Sequence, residues 1–117
     1  MNKLGLDGEN AAAKFLEAKK YKILARNYAC KYGEADIIAS DGKTLVFAEV
    51  KARAYAAFGG PALAVTPAKQ QKISLVAANY IKEKRPKFDN IRFDVITVLE
   101  GRAEHIENAF IPPRMTL

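Results

Sequence analysis

The sequence contains a single cysteine and no apolar run long enough to cross a membrane. Cys30 cannot form an internal disulfide, so a packed thiol in a reducing cytosol is expected. Charged residues break the apolar runs well before the roughly 18 residues that a membrane span needs. Because Met1–Gly5 also has no apolar signal core, the sequence predicts a cytoplasmic protein without a cleaved secretion signal.

The chain also lacks internal repeats, low-complexity tracts and linkers. Its 117 residues, half of them hydrophobic, are typical of one soluble globular domain covering residues 1–117. The net charge of +6 and the pI near 9.5 favour an anionic partner such as nucleic acid. Taken alone this charge is weak evidence, since the lysines are spread along the chain.

The first segment has the spacing of a helix, predicted from Asp7 to Lys19 with Asp7 as its cap. Alanines 11–13 are strong helix formers, and Glu9 falls in the favourable first turn. Glu9 also lies three residues before Ala12, on the same inward stripe as Leu16. A carboxylate on the inward stripe of a helix is unexpected and marks Glu9 as a candidate functional residue.

The rest of the chain predicts a helix that starts at Thr66-Pro67 and ends before Pro86, together with five strands. The predicted strands are Tyr21–Tyr28, Ala35–Ser40, Thr44–Arg53, Ile91–Leu99 and Ala103–Ile106. Residues 54–65 are expected to form a loop and the last few residues to be loosely ordered. This order indicates an α/β or α+β domain with one mixed sheet of about five strands flanked by helices, in which the helical crossover returns the chain as a parallel strand.

Three charged residues interrupt the apolar second and third strands. A four-residue connection, Asp41–Thr44, would place Asp36 opposite Glu49 on the neighbouring strand. A two-residue turn at Asp41-Gly42 shifts the pairing by two residues and keeps the same face. In either register Asp36, Glu49 and Lys51 project to one side, near one end of the hairpin.

Two neighbouring carboxylates repel each other, and their burial costs several kcal/mol (roughly) unless positive charge offsets it. A divalent cation such as Mg²⁺ would do so, since it takes one or two protein carboxylates and leaves its other positions to water and phosphate oxygens. Lys51 would then orient the attacking water or neutralise charge on phosphorus. The alternative is a structural salt bridge between Lys51 and either acid, which the spacing alone favours equally.

The sequence resembles the YraN-like family, which is grouped with the PD-(D/E)xK restriction endonucleases and Holliday-junction resolvases. The resemblance is carried by Gly33-Glu34-Ala35-Asp36-Ile37-Ile38-Ala39 and Leu45-Val46-Phe47-Ala48-Glu49-Val50-Lys51-Ala52-Arg53. Weaker matches are Gly8-Glu9-Asn10-Ala11-Ala12, Ile23-Leu24-Ala25-Arg26-Asn27, Arg92-Phe93-Asp94-Val95-Ile96 and His105-Ile106-Glu107-Asn108-Ala109-Phe110.

The resemblance implies specific roles and a restriction-endonuclease-like fold. Asp36 and Glu49 correspond to catalytic metal-ligand positions, Lys51 to the catalytic lysine, and Glu9 to a first-helix acid that completes the metal site. The implied cofactor is Mg²⁺ or Mn²⁺. The implied substrate is DNA, with branched or single-stranded forms as candidates, and the comparison with resolvases makes a homodimer one option.

The roles of several other charged residues remain open. Arg53, Lys69 and Lys72 are candidates for contacts with nucleic-acid phosphates, although a solvated helix face explains the two lysines equally well. Asp94 is expected to pair structurally, with Arg92 or Arg53. Glu34 is expected to be a charge at the strand edge and not an additional metal ligand. His105 is expected to have a structural or surface role and not a catalytic one.

Three functions therefore compete. The first is a Mg²⁺-dependent endonuclease acting on DNA, and the second is a non-catalytic nucleic-acid-binding module that keeps the fold. The third is an interaction protein whose acids and lysine form only structural salt bridges. The intact acid-acid-lysine set favours the nuclease over the binding module, because a pure binder has no need to gather carboxylates near phosphate.

Overall fold

The structure is a computed structural model that describes residues 3–53 and 65–112. Two helices and five strands follow in the order α1 (Lys3–Ala18), β1 (Lys22–Cys30), β2 (Gly33–Asp41), β3 (Thr44–Arg53), α2 (Pro67–Lys84), β4 (Asn90–Leu99) and β5 (Arg102–Ile106). Residues 54–64 of the predicted loop at 54–65, and residues 113–117 of the predicted loose tail, lie outside the described residues.

The five strands form one mixed sheet in the order β1-β2-β3-β4-β5. Neighbouring strands are antiparallel, except that β3 and β4 are parallel. The connection between β3 and β4 contains α2. The predicted α+β class, the mixed five-stranded sheet and the parallel return after the helical crossover are therefore confirmed.

The sheet is covered on both faces, as its doubly apolar central strands predict. On the α1 side, Ala12 and Leu16 pack against Ile37, Val46 and neighbouring apolar residues. The other face forms a second core with α2. Its buried members are Ala35, Ile38, Leu45, Phe47, Val76, Ala77, Tyr80 and Phe93.

Helix α1 begins at Lys3, earlier than the predicted start at Asp7. Asp7 therefore lies within the helix and does not cap it, and Glu9 is not in the first turn. The glycines of this stretch lower its intrinsic helix propensity, but packing favours the helix. A Cβ added at Gly8 would lie 2.5 Å from the Cβ of Ala52, so the missing side chain lets α1 approach β3 closely.

Helix α2 begins where the sequence predicts. Thr66 is its N-cap, and the hydroxyl oxygen accepts a hydrogen bond from the backbone N–H of Lys69 at 3.2 Å. At its other end Arg85 adopts a left-handed conformation directly before Pro86, which cannot continue the helix. Neither helix of the described segments is long and apolar enough to cross a membrane.

A buried polar cluster links the C-terminal end of α1 to strands β4 and β5. Asp94 is fully buried and accepts hydrogen bonds from the Arg92 guanidinium at 2.9 Å and from the Asn108 backbone N–H at 3.0 Å. His105 Nε2 lies 2.7 Å from the same carboxylate, while its Nδ1 lies 2.9 Å from Lys19 Nζ. Because an ammonium only donates, Nδ1 accepts and Nε2–H donates to Asp94. The expected structural pairing of Asp94 with Arg92 is present.

Candidate active site

The hairpin of β2 and β3 brings Asp36, Glu49 and Lys51 together at its open end. The register of the two strands pairs Ser40 with Leu45 and ends with Ile37 opposite Ala48. Asp36, just before Ile37, and Glu49, just after Ala48, are the next residues beyond the last pair. The two carboxyl groups interact, since the charge of Asp36 raises the pKa of Glu49.

The position of Asp36 is fixed by the backbone of the neighbouring strand. One oxygen of its carboxylate accepts the backbone N–H of Val50 at 2.9 Å, and Lys51 Nζ lies 3.5 Å from a Glu49 oxygen. The side chains of Glu49 and Lys51 are 28% and 17% exposed. The acids and the lysine are thus largely withdrawn from water but can be reached from it.

Asp36 lies at a point where the regular alternation of side chains between the two faces of the sheet is broken, on β2 and on the neighbouring β1. On β2, Ile37 belongs to the α1-side core and Ala35 to the α2-side core, although residues two apart in a strand usually share a face. Their partners on β1 are Arg26 and Tyr28, and the residue between them, Asn27, has a left-handed φ of 52°. This conformation, which Asn tolerates better than most residues, accounts for the change of face.

The paired acids hold their protons more tightly than isolated ones. Burial raises the pKa of Glu49 to about 7; repulsion from Asp36 adds to this, while the cationic Lys51 and Lys69 oppose it. Burial also raises the pKa of Asp36, although the Val50 N–H and Lys51 favour its ionised form. In the absence of a cation, Glu49 therefore keeps its proton to a higher pH than an ordinary carboxyl group.

Glu9 reaches toward this site from α1. Its residue surface is 2% exposed, and one carboxylate oxygen is buried without a hydrogen-bond partner. Burial raises the pKa of Glu9, and the negative charge of Asp36 raises it further. The same oxygen, Oε1, lies 3.6 Å from an Arg26 guanidinium nitrogen, so it has a cationic neighbour although it accepts no hydrogen bond.

Arg26 and Asn27 lie near Glu9, although the sequence did not predict them as site residues. The guanidinium of Arg26 lies 3.6 Å from Glu9 and donates to the Asn10 side chain at 2.7 Å. A hydrogen bond from the Asn27 side chain also favours the ionised form of Glu9. Asn is depleted in strands, so its position inside the predicted first strand was the available signal.

The predicted phosphate-contacting residues occupy different positions. Lys69 and Lys72 are exposed on the first turns of α2, and the charge of Lys69 is close enough to lower the pKa values of both Asp36 and Glu49. Arg53 ends β3, but its side chain lies outside the described residues. The exposed Glu34 lies on the α2 side and lines a cavity together with Glu49 and both lysines.

The residues present fit a divalent cation, judged by their donor chemistry. Asp36 and Glu49 supply hard carboxylate oxygens, and a cation would compete with the proton that the raised pKa of Glu49 favours. Within residues 3–53 and 65–112, no three carboxylate, histidine or cysteine side chains form a cluster that could hold one ion. Among these residues Asp36 and Glu49 are therefore two donors without a third in their cluster, and Glu9 contributes through its charge interaction with Asp36.

The model of the uncharacterised protein family UPF0102 matches residues 8–98. The chain belongs to this family. The match confirms the YraN-like resemblance, since this is the same family.

Relatives of similar length support the assignment. A UPF0102 protein of Geobacter sulfurreducens is 52% identical over 112 residues, covering 92% of this chain and 88% of the relative. Those of Geotalea daltonii and Rhodococcus opacus are 49% and 40% identical over 112 residues, covering 92% of this chain and 88% and 95% of the relatives. These names state no activity, so they establish the family and leave the chemistry to be inferred from the residues.

Proposed function

We propose that this UPF0102 protein is a Mg²⁺- or Mn²⁺-dependent nuclease that hydrolyses phosphodiester bonds in DNA. The observation that carries the proposal is the pair of adjacent carboxyl groups of Asp36 and Glu49, with the Lys51 ammonium 3.5 Å from Glu49. A structural salt bridge requires one acid for one lysine. Here two acids interact, and although Lys51 and Lys69 both act on them, the pKa of Glu49 stays raised to about 7. A bound cation would stabilise the ionised form of this pair.

Each residue has a distinct role in this proposal. Asp36 and Glu49 hold the cation, and the Val50 N–H fixes the orientation of Asp36. When bound, the cation would supply Lewis-acid polarisation of the phosphate and a more acidic water molecule. Lys51 orients that water or neutralises negative charge on the phosphate, because its ammonium lies at the carboxylate pair.

Glu9 and the basic residues support this centre. Glu9 adds negative charge beside Asp36, which favours a divalent cation over a monovalent one. Lys69 and Lys72 contribute positive charge on the α2 side, where they would attract and position the phosphate backbone. Arg53 remains a proposed phosphate contact from the end of β3.

The test is cleavage of labelled DNA by the purified full chain with Mg²⁺, Mn²⁺ or EDTA. The panel contains duplex, single-stranded, flapped and four-way DNA, and the variants are Asp36→Asn and Glu49→Gln. We expect metal-dependent cleavage that both variants abolish. DNA binding without cleavage in any metal would favour the non-catalytic binding module, and the absence of both would favour an interaction protein.

A further inference from the structure

A cavity opens beside Glu49 on the α2 face of the sheet. Its volume is about 210 Å³, and its lining includes Phe47, Glu49, Lys69, Lys72, Ile73 and Phe110. This is smaller than the roughly 300–1,000 Å³ of pockets that take drug-sized ligands. The volume of the cavity therefore suits one small group.

The cavity wall is aromatic and is held in place by the sheet. Phe47 stacks on Phe93 with ring centroids 5.6 Å apart and an interplanar angle of 21°. Phe110 continues this row, with its centroid 5.5 Å from that of Phe93, and the Ala109 N–H donates to the Phe93 carbonyl at 2.9 Å. Phe110 is only half-buried, so part of its ring remains available to a ligand.

The cavity rim combines both charges that a nucleotide beside a metal centre requires. Lys69 and Lys72 are exposed on the helix side, while Glu49 and the exposed Glu34 are on the sheet side. Glu49 belongs to the proposed metal pair. A phosphate attracted by the lysines would thus lie next to the carboxylates, with its attached nucleoside directed at the apolar wall. Aromatic side chains contribute about 1–3 kcal/mol per stacked base in single-strand binding.

We propose that this cavity binds one unpaired nucleotide of a single-stranded DNA segment, next to the phosphate that is cleaved. The inference deepens the proposed function and rests on it for the position of the reacting phosphate. A base inside an intact duplex cannot enter the cavity without unstacking and unpairing, which costs a few kcal/mol (roughly). Single-stranded DNA, flaps and frayed ends are therefore the favoured substrate forms.

The experiment measures the affinity of the full chain for fluorescein-labelled oligodeoxythymidylate and for a blunt duplex of equal length, with Ca²⁺ present in place of Mg²⁺. We expect tighter binding of the single strand. Phe110→Leu, which keeps an apolar side chain but removes the ring, should weaken single-strand binding about tenfold and change duplex binding by less than about twofold. Leu75→Ala is the matched control, because Leu75 is exposed on α2 and does not line the cavity.

Two further measurements keep the proposal testable if Phe110→Leu does not fold. Thymidine 5′-monophosphate added to the wild type should shift the NMR signals of Ile73 and Phe110 more than those of Leu75. Lys72→Gln should reduce the log–log salt slope of single-strand affinity by about 0.7. Equal affinity for both DNA forms, or nucleotide-induced shifts that avoid the cavity, would overturn the proposal.

The two proposals can fail separately. Metal-dependent cleavage of duplex DNA without any single-strand preference would overturn the cavity assignment and leave the nuclease intact. Conversely, a single-strand preference that is lost in Phe110→Leu, without cleavage in any metal, would overturn the nuclease and leave the cavity as a nucleotide-binding site.

Discussion

Asp36 and Glu49, one from each strand of a hairpin, come directly after the paired residues Ile37 and Ala48, and their carboxyl groups interact. Because burial and this interaction raise the pKa of Glu49 to about 7, Glu49 holds a proton under conditions in which most carboxylates have lost theirs. A bound divalent cation would displace that proton. The site therefore couples stability, pH and metal binding in ways that can be measured.

The first prediction concerns the pH dependence of stability in Glu49→Gln. The raised pKa of Glu49 means that its stabilising effect is fully present below its ordinary pKa near 4.5 and is lost as the pH rises through about 7. Without metal, the wild type should lose about 2–3 kcal/mol of stability relative to Glu49→Gln between pH 4.5 and pH 8. Urea titrations of both proteins in EDTA across this range measure the difference.

Mg²⁺ provides the control for this prediction. At pH 8 it should raise the melting temperature of the wild type and leave that of Glu49→Gln nearly unchanged, since only the wild type presents two carboxylates. If the stability difference between the proteins were the same at pH 5 and pH 8, the pKa of Glu49 would not be raised.

The second prediction concerns the close approach of α1 to β3. Gly8→Ala would place a methyl group 2.5 Å from the Cβ of Ala52, so the helix must shift. Although alanine favours a helix by about 1 kcal/mol over glycine, we expect a net loss of about 1–3 kcal/mol and weaker Mn²⁺ binding, because Glu9 follows Gly8. Ala52→Gly in the same chain should restore both, whereas Lys14→Ala on the exposed side of α1 should change neither.

Much of the fold was predictable because its signals are local. Thr66-Pro67 defined the start of α2, and the bounds of β3 agree with the prediction. The sequence did not predict that β1 continues to Cys30 or that β2 starts at Gly33. Their tight hairpin contains Lys31 and Tyr32, which are not strong turn formers, so pairing between the strands determines the extension.

The site was predictable only in part. Alternation along the strands and the inward position of Glu9 indicated the acids, since these features depend on residues near one another in sequence. The exchange of faces at Asn27 was not predicted, because it depends on a single left-handed residue inside a strand. As a result Arg26, the closest cation to Glu9, was missed as a neighbour of the site.

The third prediction distinguishes a structural acid from the acids of the proposed site. Burial alone would raise the pKa of Asp94, but hydrogen bonds from His105, Arg92 and the Asn108 N–H hold it below its ordinary value. Its stabilising effect is therefore present above about pH 4 and is lost as the pH falls through the lowered value. Asp94→Asn should destabilise the protein by about 3 kcal/mol at pH 7, because it removes the buried acceptor of Arg92 and His105. Asp41 and Glu107, which lie 3.7 and 3.8 Å from Arg92, offset part of the loss.

The same variant separates this cluster from the metal site. Asp94→Asn should leave Mn²⁺ affinity within about threefold of the wild type at temperatures where it stays folded. Urea titration and isothermal calorimetry measure the two effects. A large loss of metal affinity with unchanged stability would place Asp94, and not the hairpin acids, in the metal centre.

The last prediction concerns Lys51, where the nuclease and salt-bridge interpretations differ most. Lys51→Met keeps most of the apolar stem and removes the charge. If Lys51 acts on water and phosphate, the variant should bind Mn²⁺ about as tightly as the wild type, lose about 1 kcal/mol of stability or less, and cleave DNA at least about 100-fold more slowly. If the lysine only balances the buried acids, its loss should cost about 3–5 kcal/mol.

Melting curves with and without Mg²⁺, calorimetry and single-turnover cleavage measure the three quantities, with the exposed Lys82→Met as the matched control. A strongly destabilised variant, in a protein whose wild type shows no Mg²⁺ effect on melting, would mean that Glu49 and Lys51 are structural and that the nuclease proposal is wrong.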